Sequence, residues 1–148
     1  MYTTVSDVLD HKGWIVHTVR PDATVYEAVS RMVRRNIGAL VVTDDRGELR
    51  GIITERDYLR KVVVLGRTSP TTLVDQIMTG DVVTVSPRST LNDCLVLMTR
   101  QRCRHLPVVD AGVVCGVVSI GDCAREIADH SEVVIQYYTD FIAGRYPA

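Results

Sequence analysis

Hydrophobic residues along this chain follow two patterns, and each pattern predicts a different kind of element. Nearly continuous apolar runs, such as Leu40–Val42 and Val113–Val118, are typical of strands that are buried on both faces. Between these runs, apolar residues recur at spacings of three and four, which predicts helices with one face on a core. The helical positions are Val25, Ala28, Val29, Met32 and Val33 in one segment, and Leu91, Cys94, Leu95 and Met98 in another.

The two helical segments belong to a longer repeat. TVRPDATVYEAVSRM at 18–32 aligns with TVSPRSTLNDCLVLM at 84–98 at an offset of 66, and GIITERD at 51–57 aligns with GVVSIGD at 116–122 at an offset of 65. The single-residue difference falls in a hairpin turn, where chains tolerate deletions. The sequence therefore contains an internal duplication.

Each copy predicts the element order β-α-β-β-α, so the fold class is mixed α/β (α+β) with two repeats. The strands predicted are Val16–Val19, Ala39–Thr43 and Leu49–Ile53, then Val82–Val85, Leu106–Val109 and Val113–Val118. Hydroxyl residues precede the helices as N-caps, with capping boxes expected at Thr24/Glu27 and Thr90/Asp93. We place the first domain at residues 1–66, the second at 67–130 and a helical tail at 131–148.

Three further helices are expected outside the repeated elements. Short helices are predicted at 5–9 and 74–78, and a tail helix is predicted to run through Phe141 and end at Gly144. The apolar side chains of the tail helix would dock on the repeats or on another copy of the chain. They are Val134, Tyr137, Tyr138, Phe141 and Ile142.

Composition narrows the function classes. The net charge is −1, which argues against a surface for nucleic acid or membranes. No signal peptide or membrane span is recognisable, so we expect a cytoplasmic protein. The cysteines Cys94, Cys103, Cys115 and Cys123 form no C-x-x-C pair, which predicts reduced thiols and no metal site.

The repeated hydroxyl–x–x–aspartate motif is the main candidate for chemistry. Capping of a helix start would alone explain Thr54/Asp57 and Ser119/Asp122. A nucleotide is also compatible, because helix starts favour phosphate and an aspartate can accept hydrogen bonds from ribose hydroxyls. Gly51 and Gly116 would permit close approach to the preceding strand.

The duplication, with G-h-h-[ST]-x-x-D closing each copy, resembles a pair of CBS domains, a Bateman module. ITERDYLRKVVVLGRTSPTT, RHLPVVD and SIGD are similar to small stand-alone CBS-pair proteins. The resemblance implies two copies packed about a pseudo-two-fold axis, and usually a homodimer. It also implies clefts for adenosine-bearing effectors, among them AMP, ADP, ATP, NAD(H) and S-adenosylmethionine, with AMP favoured here and no cofactor required.

The resemblance also implies specific ligand-binding residues. Asp57 and Asp122 would hold riboses, and Thr54 and Ser119 would bind ribose or phosphate. The remaining implied positions are Thr18 and Thr84 beside the adenines, and Ile37, Gly38, Ala39, Cys103, Arg104 and His105 towards the phosphates.

The two clefts are expected to be unequal. Arg104 can bind phosphate through its planar donors, whereas the matching position is Gly38. Arg104 would serve the ligand whose ribose is held by Asp57, and Arg56 is a second phosphate candidate. The other arginines are interpreted as a solvated face, namely Arg34, Arg35, Arg100 and Arg102.

The function expected is therefore a nucleotide-binding regulator of an unidentified protein partner. A scaffold that binds no ligand is an alternative, because capping could account for both aspartates. An enzyme that uses Cys103 and His105 is a weaker alternative, since no third partner is apparent and no catalytic motif is present. No catalytic residue is assigned.

Overall fold

A computed structural model describes residues 3–129 and 138–144 of the chain. The elements, in chain order, are α1 (Val5–Lys12), β1 (Thr18–Val19), α2 (Val25–Arg35), β2 (Ala39–Thr43), β3 (Leu49–Thr54), α3 (Glu55–Tyr58), a π-helical turn (Leu59–Val63), a 3-10 turn (Val74–Gln76), α4 (Leu91–Gln101), β4 (His105–Asp110), β5 (Val113–Ser119) and α5 (Ile120–Ala128). The mixed α/β (α+β) class and the two-repeat order predicted from the sequence are confirmed.

Each repeat is built around an antiparallel hairpin. In the first repeat β2 pairs with β3, and β1 lies parallel to β2. In the second repeat β4 pairs with β5, and the first strand is reduced to a parallel bridge between Val85 and Val108. The hairpin strands match their predicted bounds to within one residue, whereas the opening strands Val16–Val19 and Val82–Val85 are shorter than predicted.

Hydroxyl side chains cap each of the helices α1 to α5. Thr4, Thr24, Thr54, Thr90 and Ser119 each accept a hydrogen bond from the amide three residues on. The bond is reciprocated by an aspartate at every cap except Thr24, where the described contact is the one-way bond from the Glu27 amide. The sequence rule therefore located the helix starts correctly, and the box predicted at Thr90/Asp93 is complete.

The short helical segment that precedes each repeat packs into the core of the other repeat. Val5, Val8 and Leu9 of α1 are buried in the core of the second repeat, with the Val5 amide donating to the Ser89 carbonyl at 2.8 Å. Conversely, Val74 and Ile77 are buried in the core of the first repeat. Each core is thus completed by a segment that lies next to the other repeat in the sequence, and the domain boundaries stay a prediction.

This exchange explains the repeated glycine of the GIITERD and GVVSIGD motifs. A Cβ on Gly51 would lie 2.6 Å from the Thr79 carbonyl oxygen, and a Cβ on Gly116 would lie 2.7 Å from Leu9 Cδ1. The groups that approach the two glycines are therefore parts of the protein that pack against β3 and β5. Close approach was predicted correctly, but it serves packing of the exchanged segments.

The tail is described in part. Residues 138–142 are helical, and the Gly144 amide donates to the Phe141 carbonyl at 3.1 Å, which agrees with the predicted helix end. Tyr138 is half-buried, while Ile142 is 68% exposed. Val134 and Tyr137, which were assigned to the same apolar stripe, lie outside the described residues.

Candidate ligand-binding clefts

An open cavity of about 600 Å³ lies between the two repeats. The first repeat contributes the end of β3 and the start of α3, and the second contributes residues 79–83 and 101–105. We call this cavity the first cleft. Gly38 and Cys103 line the first cleft. Its polar and charged lining residues are Thr54, Glu55, Arg56, Asp57, Arg60, Lys61, Thr79, Asp81, Gln101, Arg102, Arg104 and His105.

The first cleft brings together seven of the residues singled out from the sequence. They are Gly38, Thr54, Arg56, Asp57, Cys103, Arg104 and His105. Thr84 is exposed and follows the lining residue Val83, whereas Ile37 faces a neighbouring apolar groove of about 510 Å³ along α2. Their roles in binding stay predictions.

Asp57 has a structural role in addition to any binding role. Its Oδ2 accepts hydrogen bonds from the Thr54 amide at 3.0 Å and the Thr54 hydroxyl at 3.2 Å, which completes the cap of α3. Its Oδ1 lies 3.2 Å from Lys61 Nζ, and the Asp57 side chain is 13% exposed at the cavity wall. Capping therefore uses one oxygen and leaves the other beside the Lys61 ammonium, which also donates to the Ile77 carbonyl at 2.7 Å.

Positive charge predominates around the first cleft. Five basic side chains line it, against the three acids Glu55, Asp57 and Asp81. The five are Arg56, Arg60, Lys61, Arg102 and Arg104. Arg102, interpreted from the sequence as part of a solvated face, is exposed but borders the cavity, because it ends α4 in a left-handed conformation with φ of 52°.

His105 lies where the two repeats meet. A Cβ on Gly38 would lie 3.6 Å from the imidazole Nε2 and 2.8 Å from Glu55 Oε1, so a larger residue at position 38 would push against both side chains. Burial lowers the pKa of His105, and the positive charges of Lys12 and Arg104 lower it further. The imidazole is therefore neutral at neutral pH.

The thiol–imidazole alternative gains no support from this environment. Burial raises the pKa of the Cys103 thiol, while burial lowers that of His105. Both shifts favour the uncharged pair, whereas a nucleophilic cysteine requires a thiolate. Within residues 3–129 and 138–144, no three histidine, cysteine or acidic side chains are grouped so that they could hold a metal ion.

The second copy of the motif meets different neighbours. Asp122 Oδ2 accepts from the Ser119 amide at 2.9 Å and from Lys12 Nζ at 2.6 Å, and Oδ1 accepts from Arg125 Nη2 at 2.6 Å. Burial opposes ionisation of the Asp122 carboxyl, but the hydrogen bonds from Lys12 and the Ser119 amide outweigh burial and hold its pKa below the ordinary value. Both carboxylate oxygens are thus engaged by protein groups.

Thr18 and Ala39, also predicted as ligand-binding residues, belong to the sheet of the first repeat. Thr18 pairs with Val41, and its carbonyl accepts a hydrogen bond from the Arg31 guanidinium. Ala39 pairs with Thr54 at the start of the β2–β3 hairpin. Tyr138 of the tail lies over the start of α5, with its hydroxyl 3.8 Å from the Cβ position of Gly121, and burial raises the pKa of that hydroxyl.

Sequence reasoning missed three charged groups that shape these sites. Lys12 reaches Asp122 because α1 crosses to the second repeat, and Arg60 and Lys61 reach the first cleft because a π-helical turn extends α3. For Lys61 a signal existed, since it follows Asp57 by four residues on a predicted helix. The repeat contained no signal that would have identified Lys12.

No helix in residues 3–129 and 138–144 has both the length and the apolar character needed to cross a bilayer.

Comparison with known proteins agrees with the duplication. The family model described as "CBS domain" matches residues 5–64 and again 74–129. The mitochondrial CBS domain-containing protein CBSX3 of Arabidopsis thaliana is 42% identical, over 97% of this chain and 74% of its own length. The protein YhcV of Bacillus subtilis, also named as CBS domain-containing, is 36% identical over 81% of this chain and 84% of its own.

Solved structures are similar over the same region. A protein with CBS domains from Burkholderia ambifaria is 44% identical with a TM-score of 0.83, covering 87% of this chain and 97% of that one. The CBS domain pair of protein MJ0100 is 26% identical with a TM-score of 0.80, covering 88% and 100%. That pair was solved in complex with 5′-methylthioadenosine and S-adenosyl-L-methionine.

Proposed function

The chain belongs to the CBS-domain family, of which it carries two copies in tandem, and from this premise we propose that it is a regulatory module that binds an adenine nucleotide in the first cleft. The observation that carries the proposal is the open cavity lined by Asp57 of one repeat and by Arg104 and His105 of the other. A ligand in this position contacts both repeats, so that its binding energy can bias how they pack.

The ribose is assigned to Asp57. Its Oδ1 contacts only Lys61 among the described hydrogen bonds and ion pairs, and the Lys61 side chain is 40% exposed. The Lys61 ammonium also donates to the Ile77 carbonyl at 2.7 Å. Binding is proposed to draw it from Asp57 towards a phosphate, so that two ribose hydroxyls donate to the carboxylate. Thr54 stays at the cap, where its hydroxyl lies beside the same carboxylate.

The phosphates are assigned to the basic side chains. An excess of two positive charges, five basic against three acidic groups, favours a ligand that carries negative charge. The MJ0100 pair shows that a related fold accommodates adenosine compounds without phosphate, one of which is a sulfonium cation. The charge of the first cleft favours AMP, ADP, ATP or NAD(H) over such a cation, and AMP remains the favoured effector.

The module is proposed to act as a homodimer on a protein partner. Apolar side chains on α2 and the π-helical turn remain exposed, among them Val33 at 74% and Val63 at 51%. Such side chains on adjacent helical segments support self-association. The cytoplasmic location stays a prediction, and the Arabidopsis relative is named as mitochondrial.

Calorimetric titration with AMP, ATP, NADH and S-adenosylmethionine tests the proposal. We expect saturable binding of the phosphorylated ligands and at least a tenfold weaker affinity in Asp57→Asn. Asp93→Asn is the matched control, because Asp93 completes the same capping box at Thr90 and lies outside the lining of the first cleft. Absence of binding by all four ligands would support the scaffold alternative. An equal loss of affinity in the two variants would show that Asp57 only caps its helix.

A further inference from the structure

In the second repeat, basic side chains of the chain itself engage the carboxylate that corresponds to Asp57. Lys12 at the end of α1 places its ammonium 2.6 Å from Asp122, and Arg125 lies 2.6 Å from the other carboxylate oxygen. The Asp122 side chain is 3% exposed, compared with 13% for Asp57. Neither of the two cavities described above is lined by Ser119 or Asp122.

The difference between the repeats originates in the exchanged helices. Lys12 lies seven residues after Val5, and Asp81 lies seven residues after Val74, so they follow the starts of the two helices at the same distance. The helix α1 continues to Lys12, whereas the 3-10 turn ends at Gln76. As a result Lys12 reaches the aspartate of the second repeat, while the corresponding acid, Asp81, stays at the wall of the first cleft. Asp57 has one cation, Lys61 at 3.2 Å, whereas Asp122 has two at 2.6 Å, Lys12 and Arg125.

Additional contacts hold Lys12 in this position. Its ammonium also donates to the Val117 carbonyl of β5 at 2.8 Å. The preceding residue, His11, lies 3.0 Å from the carboxylate of Glu126, which is buried in α5. The end of α1 is therefore fixed to two buried acids of the same helix.

A ribose would interact with the Asp122 carboxylate more weakly than the Lys12 ammonium does. Ribose hydroxyls are neutral, so a ligand that displaced Lys12 would leave a buried carboxylate without one of its cations, a costly exchange. The second cleft also lacks cations that the first one has, since Gly38 stands opposite Arg104 and Gly121 opposite Arg56 in the repeat. Nothing in the ligand compensates for the loss.

We propose that Lys12 is the specificity-determining residue that restricts this chain to one adenine nucleotide per protomer, by occupying the carboxylate that a second ribose would need. The inference rests on the proposed function of the first cleft. Removal of the Lys12 ammonium frees one oxygen of Asp122 and opens the second cleft to an adenosine moiety.

Binding stoichiometry of the full chain tests this inference, with adenosine and AMP as the probes. We expect one site per protomer in the unaltered protein and in Lys12→Arg, which keeps the cation. Lys12→Met should bind two ligands per protomer. The preference of the added site for adenosine over AMP should be at least as large as the preference of the first cleft for AMP over adenosine. Adding Asp122→Asn to Lys12→Met should abolish the added site, and circular dichroism checks that each variant is folded.

The outcomes separate this inference from the proposed function. Two sites in the unaltered protein, or one site in folded Lys12→Met, would overturn the role of Lys12 and leave the first cleft intact. No binding by the unaltered protein, together with one site in Lys12→Met that Asp122→Asn abolishes, would refute the proposed function and support the role of Lys12. No binding by either protein would refute both.

Discussion

Asp57 and Asp122 occupy the same place in two copies of one motif, yet their carboxylates meet different cations. The local part of their chemistry, the cap of the following helix, was predictable from four residues because it depends on backbone geometry within one turn. The cations that complete each site come from Lys61 in one case and from Lys12, 110 residues away, in the other. Such contacts depend on how the repeats pack, and no local pattern encodes them.

The two motif glycines should differ in their tolerance of alanine. Gly51→Ala places a Cβ 2.6 Å from a backbone oxygen of Thr79, whereas Gly116→Ala meets the end of the flexible Leu9 side chain at 2.7 Å. We expect Gly51→Ala to lower the free energy of unfolding by roughly 1–3 kcal/mol and Gly116→Ala by less. Urea denaturation measures both, with Gly80→Ala as the control, since nothing lies within 4 Å of its Cβ position. A larger loss for Gly116→Ala would contradict the packing described here.

Arg104 should contribute to phosphate rather than to adenosine recognition. Arg104→Ala should weaken ATP and AMP by about tenfold, as expected for loss of one charge-assisted contact of about 1.4 kcal/mol, with adenosine nearly unchanged. Arg100→Ala is the matched control, because Arg100 is exposed on α4 and outside the lining of the first cleft. If a titration of Arg104→Ala showed equal losses of affinity for adenosine and AMP, Arg104 would not be a phosphate contact.

At the scale of elements, the hairpins and helices were predictable, whereas the partners of the short helices were not. Hydrophobic spacing located α2 and α4, and continuous apolar runs located the hairpin strands. A short helix was predicted for VSDVL at 5–9, but a predicted helix does not specify which core it enters. The need for glycine at positions 51 and 116 becomes clear only in the folded structure, where Thr79 packs against Gly51 and Leu9 packs against Gly116.

The contact of α1 with α5 should depend on pH through His11. The hydrogen bond to Glu126 raises the pKa of His11 above the ordinary 6.5, and nearby Asp10 and Asp129 act in the same direction. Protonated His11 therefore stabilises the fold fully below about pH 6.5, and the contribution is lost as the pH rises through the raised value. The difference in unfolding free energy between the unaltered protein and His11→Ala should shrink from pH 6 to pH 8.5. A pH-independent difference would show that the contact is not an ion pair.

At the scale of the whole molecule, the two repeats form one unit because each core contains the short helical segment that precedes the other repeat. The first cleft lies at their junction, so a bound nucleotide and the packing of the repeats are energetically coupled. The sequence predicted that the clefts would be unequal from Arg104 against Gly38. The structure adds a second source of asymmetry, the ion pair between Lys12 of α1 and Asp122.

Self-association is the molecular property that exposed apolar residues predict. Light scattering should give a mass of twice 16.4 kDa for the unaltered protein. Val33→Glu should shift it towards the monomer, because Val33 is 74% exposed on α2. Val113→Glu is the control, since Val113 is 63% exposed but lies at the hairpin end of the second repeat. A monomeric unaltered protein would exclude the homodimer.

A crystal structure of the chain grown with AMP tests the central claim most directly, that a gap between the repeats holds an adenosine by its sugar. The account predicts ribose hydroxyls on Asp57, phosphate towards Arg104, and Lys12 still seated on Asp122. Nucleotide bound at Asp122 instead, or a first cleft that stays empty at saturating AMP, would contradict it.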